Sequence, residues 1–304
     1  MRVLIAGRTG QLATELLRRL PQDGHTVVAM EAPELDLTDR DSILRAMEAA
    51  APDAVVNAAA YTAVDGAETR RDLAFAVNTL GAGMLASASA ARGLPLIHLS
   101  TDYVFAGKGG APYDEDAEPD PLGVYGASKL GGERAALAAN PRTAILRTAW
   151  LCSPHGGNFV KTMLRLAAER DTVSVVADQQ GAPTFADDLA DAIARMLPRL
   201  AASPAGSDAF GIFHLTGAPH TTWHGFAEAV FAGAAARGHR VPRLRAITTA
   251  EYPTPAQRPP DARLNCGRIL GVHGIAPADW RRSLPRLLDA LIGPAGNPSA
   301  KDTA

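Results

Sequence analysis

The chain has 304 residues, of which 47% are hydrophobic and 20% charged, with a formal net charge of −2. That length supports one large core or two smaller ones, and the near-neutral balance gives no electrostatic basis for a nucleic-acid or membrane-surface partner. Cys152 and Cys266 are too few for a disulfide framework or a cysteine-built metal site, no apolar run approaches a membrane span, and the strand-like opening MRVLIAG points to a cytoplasmic protein.

The first half reads as strands alternating with helices. Arg2–Ala6 is a short apolar strand, and Leu12, Leu16, Leu17 and Leu20 follow at helical spacing within Gln11–Leu20. Thr26–Ala29 is the second strand, and Thr38 or Asp39 caps a helix that runs to about Ala50 and is ended by Pro52. Ala54–Asn57, Pro95–Ser100 and Thr143–Arg147 are further strands, separated by helical stretches near Thr69–Ala91 and Tyr125–Ala139. Strands that are apolar throughout, each followed by a helix, predict an α/β fold with a doubly wound parallel sheet, whose ligand crevice lies beyond the carboxyl ends of the strands.

Beyond Trp150 the alternation weakens. A helix near Asn158–Glu169 leads to the strand Val173–Val176 and the Gly/Pro loop Asp178–Thr184; a helix near Asp187–Leu197, the loop Ala201–Asp208 and the strand Phe210–Leu215 follow. His224–Ala236 reads as a helix, Tyr252–Pro260 holds too many prolines for regular structure, and the last helix is near Asp279–Leu291. The expected organisation is a dinucleotide-binding domain over 1–150 with segments returning at about 173–176 and 210–245, a smaller C-terminal substrate domain over 151–292, and a disordered tail over 293–304.

Three motifs fall where that crevice should be. Gly7-Arg8-Thr9-Gly10-Gln11-Leu12 turns the first strand into the first helix, where glycines let backbone approach a pyrophosphate and the helix N-terminus attracts it; a ligand-free tight turn is the competing reading. Ala58-Ala59-Ala60-Tyr61 ends the third strand with small side chains that leave room for a flat cofactor, although an Ala-rich strand end is as good an account by itself. Ser100-Thr101-Asp102-Tyr103 ends the fourth strand, and Tyr125 and Lys129 open the next helix four residues apart on one face. An ammonium there favours phenolate and makes the phenol a better acid, with Thr101 placed to share the same substrate oxygen. With 5 Tyr and 4 Lys in the chain, chance supplies this spacing only about 0.07 times, so a solvated surface pair is the weaker reading. Asp114-Glu115-Asp116 reads as a solvated loop rather than a metal site, and the histidines lack metal-ligand spacing.

These motifs, with Val55–Asp65 (VVNAAAYTAVD), STDYVF, Arg147–Leu164 (RTAWLCSPHGGNFVKTML), Asp178–Thr184 (DQQGAPT) and Arg258-Pro259, resemble the dTDP-4-dehydrorhamnose reductase family over roughly Met1 to Leu291. The resemblance implies an extended short-chain reductase on a Rossmann sheet that uses NADPH or NADH to reduce dTDP-4-dehydro-β-L-rhamnose to dTDP-L-rhamnose. It implies that Gly7, Arg8, Gly10, Gln11 and Leu12 meet the cofactor pyrophosphate region, that Asp36 and Leu37 lie near the adenine, and that Ala59, Ala60 and Tyr61 line the dinucleotide path. Tyr125 is implied as proton donor, Lys129 as holder of the nicotinamide ribose, Thr101, Asp102 and Trp150 as contacts of the sugar, and Asn158 and Arg258 as contacts on its diphosphate side. Where the family commonly carries a polar pair after Arg-Pro, this chain reads Pro260-Asp261-Ala262. Some members bridge a homodimer through Mg²⁺; Glu15 is a candidate ligand here, but its partners are not legible and no metal is assigned. Two other functions stay open at this stage: a different dTDP-4-ketosugar reductase of secondary metabolism, and a non-catalytic regulatory subunit of methionine adenosyltransferase type.

Overall fold

The structure, a computed structural model, describes residues 1–295; of the tail expected over 293–304, residues 296–304 lie outside it. Five early strands, β1 (Arg2–Ala6), β2 (Thr26–Met30), β3 (Ala54–Asn57), β4 (Leu96–Thr101) and β5 (Thr143–Thr148), join Gly211–His214 in one parallel six-stranded sheet. Across the sheet the order is Gly211–His214, β5, β4, β3, β1, β2. The chain runs outward from β1 to β2 and then returns past β1 to β3, so the winding reverses between β1 and β3 and opens a crevice at their carboxyl ends.

The strand centres are apolar because both faces are covered, and polar residues such as Asn57, His98 and Arg147 are buried with them nearer the carboxyl ends. On one face Val3, Ile5 and Val56 pack with Leu16 of helix α1 (Gln11–Arg19) and with Leu189, Ile193 and Leu197 of helix Ala186–Ala202. On the other, Leu4, Val55 and Ile145 pack with Met47 of helix α2 (Arg40–Ala50), Leu85 and Ala136. A third cluster, built from Val160, Met163, Val173, Phe226, Val230, Trp280 and Leu287, forms a separate C-terminal core.

The boundary between halves differs from the expectation. Thr172–Val176 does not return to the large sheet; it pairs in parallel with Arg243–Ile247 beside the third cluster. Of the span 210–245 only Gly211–His214 joins the sheet, because Phe226 and Val230 on the following helix face the third core. Helix Ala186–Ala202 instead belongs to the first-half core, its apolar stripe matching that of α1.

The helical run Arg71–Ala90 is, by length and hydropathy, long enough to cross a membrane, which departs from the expectation that no apolar run approaches a membrane span. In the fold it contains a π-helical stretch, Ala76–Gly81, and lies against helix Val124–Ala139, burying Ala74, Asn78, Gly81 and Leu85. The two backbones approach so closely that a Cβ on Gly132 would strike the Asn78 carbonyl oxygen. Gly132→Ala is therefore expected to destabilise the protein by about 1–3 kcal/mol through overpacking, read from the urea midpoint.

Candidate active site

The glycine turn leaves β1 at its carboxyl end. Gly7 has φ +107°, its N–H donates to Met30 O at 2.7 Å, and a Cβ there would stand 3.4 Å from Ala59 N. Glycine thus serves both the left-handed backbone and the close approach of the β1 and β3 ends. Gly10 is the N-cap of α1 and supplies no side-chain cap, so the first N–H groups of the helix, starting at Gln11, stay open to an anion. Such a turn fits a dinucleotide pyrophosphate. Leu12 is core and offers only backbone.

At the end of β2, Glu31 accepts from Arg8 N at 3.2 Å, Thr9 N at 3.1 Å and Thr9 Oγ1 at 3.0 Å, and these donors hold its carboxyl below the usual range. The Arg8 guanidinium donates to Ala29 O at 3.2 Å and to Glu34 at 3.1 Å. An acid and a guanidinium therefore stand together where an adenosine ribose would lie. Asp36 and Leu37 offer less than expected for an adenine. Asp36 spends its carboxylate on Thr38, whose N–H and hydroxyl donate to it at 2.8 and 2.7 Å, and the Leu37 side chain is core, packed on Gly81.

Ala59, Ala60 and Tyr61 are half-buried after β3, and a residue that the sequence did not advertise holds them. Asn78, buried in the π-helical stretch, accepts from Tyr61 N at 2.8 Å and donates to Tyr61 O at 3.1 Å and to Ser128 Oγ at 2.9 Å. It ties the cofactor-side loop to the helix that carries Tyr125 and Lys129. A π-helical register leaves no periodic signature, so a lone polar residue in an apolar helix was the only available hint.

Thr101 and Asp102 end β4 beside the start of helix Val124–Ala139. Thr101 Oγ1 accepts from Tyr103 N at 3.2 Å and donates to Asp102 Oδ1 at 3.0 Å, while Asp102 Oδ2 is buried with no partner. Burial pushes Asp102 up to about 7, against the pull of the Thr101 hydroxyl. Tyr125 sits next to them, its ring edge-on to Tyr103 at 5.6 Å. Its phenol is pushed up to about 12, first by burial and then by the Asp102 carboxylate, with the Thr101 hydroxyl opposing.

This corrects the expectation that Lys129 lowers the phenol. Lys129 is buried, its Nζ donates to Leu99 O at 2.5 Å, and burial draws its own pKa down to about 8, with Glu133 one turn on opposing. The ammonium is aimed at the β4 backbone rather than at the phenol. Beneath it lies a fully buried charge pair: Arg147 Nε and Nη2 donate to the two Glu133 oxygens at 2.8 and 2.7 Å, Ser100 Oγ donates to the same carboxylate, and Arg147 Nη1 meets His214 Nε2 at 3.3 Å. His214 is driven down to about 3 by burial and by Arg147, so it is the neutral acceptor there.

Across the crevice, the C-terminal half contributes Trp150, Gln179, Gln180, Trp223 and Arg258, which line a cleft with Asp102 and Tyr103. Trp150 adopts φ +48°, stacks on Trp223 with centroids 3.6 Å apart, and packs so closely on Gly181 that a Cβ there would meet the indole at 2.7 Å. Trp223 was missed in the sequence because a tryptophan opening an amphipathic helix reads as core.

Two expected diphosphate contacts are already engaged. Asn158 caps helix Phe159–Glu169 by accepting from Lys161 N, and its Nδ2 donates to Gln11 Oε1 at 3.0 Å and Ser153 O at 2.7 Å. It is a structural cap that tethers the glycine turn to the C-terminal half. Arg258 makes a two-pronged pair with Asp65, Nη1 to Oδ1 at 2.5 Å and Nη2 to Oδ2 at 2.8 Å.

Glu15, the candidate ligand of a cation shared between two copies, is already paired within this chain. Its carboxylate is taken by Arg18 at 2.9 Å and His155 at 3.4 Å, and the nearby Asp187 and Asp188 are taken by Arg286. Guanidinium groups already supply the positive charge, and no cluster of three or more candidate ligands occurs among the described residues.

A glycine turn at the point where the winding reverses, with Thr101 at the end of the fourth strand and Tyr125 and Lys129 on the helix that starts beside it, fits a reductase of the extended short-chain type. A family model described as the RmlD substrate binding domain matches residues 1–292, and the chain belongs to that family. A dTDP-4-dehydrorhamnose reductase of Sinorhizobium fredii is 44% identical over 292 residues, covering 96% of this chain and 98% of that one. The crystal structure of a dTDP-4-dehydrorhamnose reductase from Clostridium acetobutylicum superposes with TM-score 0.89 at 34% identity, covering 96% of this chain and 99% of that one. One from Bacillus anthracis in complex with NADP gives 0.87 at 34% identity, covering 94% and 98%.

Proposed function

We propose that this protein reduces the C4 ketone of dTDP-4-dehydro-β-L-rhamnose to give dTDP-L-rhamnose, using NADPH or NADH. The observation that carries the reading is the Tyr125 phenol beside Thr101 and Asp102, one turn before the buried Lys129 on the same helix, next to an open glycine turn and opposite the Trp150 cleft. A pure binding subunit has no use for that constellation.

The bound nicotinamide supplies the hydride. Tyr125, held protonated at neutral pH by burial, donates a hydrogen bond and then its proton to the carbonyl oxygen as charge develops there. The Thr101 hydroxyl lies beside the phenol with its single proton on Asp102 Oδ1, and would donate to the same carbonyl oxygen by turning that proton away from Asp102. Lys129, on the same helix as Tyr125 and fixed by the Leu99 carbonyl, would hold the cofactor ribose. Trp150, stacked on Trp223 and packed on Gly181, would wall the sugar. Incubating the protein with NADPH and the 4-keto sugar nucleotide and identifying the product by NMR tests the assignment. Reduction of simple ketones alone would refute it.

Arg8 and Glu31 suit a cofactor site that takes either dinucleotide, Arg8 for a 2′-phosphate and Glu31 for a 2′-hydroxyl. Arg8→Ala is expected to raise the Kd for NADPH about five- to tenfold, the scale of one exposed charge-assisted contact, while the Kd for NADH changes less than twofold. Equal weakening of both, measured by fluorescence titration, would remove Arg8 from the phosphate.

A further inference from the structure

The segment Tyr252–Pro260 holds four prolines and makes no regular structure apart from the short turn that enters it, so no hydrogen-bond ladder fixes its place. Two attachments do. At its far end Gln180 N donates to Pro260 O at 2.8 Å and Ala262 N donates to Gln180 O at 2.9 Å, which joins it to the C-terminal half. Near its middle a single carboxylate from the other half takes three donors: Asp65 receives both Arg258 Nη atoms and, at 3.1 Å on Oδ1, the Ala256 N–H. Asp65 stands on the short helix Val64–Thr69, four residues after Tyr61 on the cofactor-side loop. The strap therefore spans the cleft, tied at one end to each side of it.

Arg258 is fixed further by donating Nη1 to Ala256 O at 2.6 Å. A guanidinium carries five N–H donors, so Nε and one Nη2 proton remain after these bonds. Arg258 lines the cleft with Asp102, Tyr103 and Trp150, and the Tyr103 phenol adds to the effect of Asp65 in raising its pKa. One edge of the planar group is thus occupied by Asp65, the Tyr103 phenol lies within hydrogen-bonding reach of another donor, and what is left faces the cleft.

We infer that Asp65 is a positioning residue for the sugar pocket: it fastens the Tyr252–Pro260 strap to the cofactor-side loop and sets the Arg258 guanidinium edge-on to the cleft. An arginine half-neutralised by a carboxylate is better matched to oxygens of the sugar than to a diphosphate, which would have to compete with Asp65 for the same donors. The inference rests on the proposed function for the identity of the ligand, but not for the tie itself.

Asp65→Asn keeps the shape and removes the charge. It is expected to raise KM for the sugar nucleotide about tenfold, the scale of one charge-assisted hydrogen-bonded pair, with kcat changed less than threefold and the Kd for NADPH within twofold. Asp65→Glu, which retains a carboxylate, recovers part of that loss. Hydrogen exchange at the Ala256 amide should quicken about tenfold in Asp65→Asn with the sheet amides unchanged. A KM within twofold of wild type, or a kcat loss with KM unmoved, overturns the positioning role. If the wild-type protein turns over no sugar nucleotide, the functional reading fails by itself, and unchanged exchange at Ala256 in Asp65→Asn then overturns the strap.

Discussion

Tyr125→Phe is expected to lower kcat by about 10²–10⁴-fold while leaving KM for the sugar nucleotide within a few fold, because general acid catalysis is worth that much and acts in the transition state. The substitution keeps the ring and its edge contact with Tyr103, and removes the only proton the group can donate. With the phenol held up at about 12 by burial and Asp102, the wild-type donor stays loaded throughout the neutral range, so the loss should not vary between pH 6 and 8. Lys129→Met should lose activity as well, with weaker cofactor binding. The double variant should be little worse than Tyr125→Phe, since both residues serve one step. Stopped-flow reduction of the 4-keto sugar, with the Kd for NADPH measured separately, checks all three proteins. A Tyr125→Phe enzyme within about threefold of wild type would place proton donation elsewhere, with Asp102, which titrates near 7 in the same pocket, the next group to test.

The sheet was legible because its signal is local. β1, β2 and β3 are short, nearly apolar runs between turn residues, and β4 and β5 keep apolar centres at Leu96-Ile97 and Ala144-Ile145-Leu146, lengths and flanks that suit a strand buried on both faces. The Tyr125–Lys129 pair was legible for a similar reason, since four residues on a helix is a fixed geometry. What could not be read is whatever depends on pairing at a distance. Val173–Val176 has the composition of a sheet strand, and only its partner Arg243–Ile247 places it in the other core. Arg258 and Asn158 looked available because a sequence does not show Asp65 and Gln11, 193 and 147 positions away, already bonded to them. The direction of Lys129 was lost in the same way: spacing gives the helix face, whereas Leu99 O decides where the ammonium points.

The same blindness to long-range pairing hid the Glu133–Arg147 pair, whose loss should have the largest effect on stability. Both side chains are essentially out of solvent, at 2% and 1% exposure, and each is the other's main partner. Taking two charges from water is costly and the pair returns that cost only through its geometry, here two parallel N–H···O bonds at 2.7 and 2.8 Å, a third from Ser100, and the Phe105 ring 5.0 Å from the guanidinium. Glu133→Gln leaves the Arg147 charge buried without a counterion, His214 beside it being a neutral acceptor that cannot replace the carboxylate. The expected cost is about 3–5 kcal/mol, read as a lower urea midpoint at unchanged slope. Glu133→Leu combined with Arg147→Met removes both charges and fills similar volume, so it should recover most of that loss, which a purely steric role for Glu133 would not allow. The double variant separates stability from catalysis as well. Glu133 opposes the burial that draws Lys129 down to about 8, so without it the ammonium loses its proton at lower pH. A stable Glu133→Leu/Arg147→Met protein should therefore show the acidic shift in the Lys129-dependent limb of its pH–rate profile that wild type lacks. A double variant as unstable as Glu133→Gln would mean that shape at this site matters more than charge.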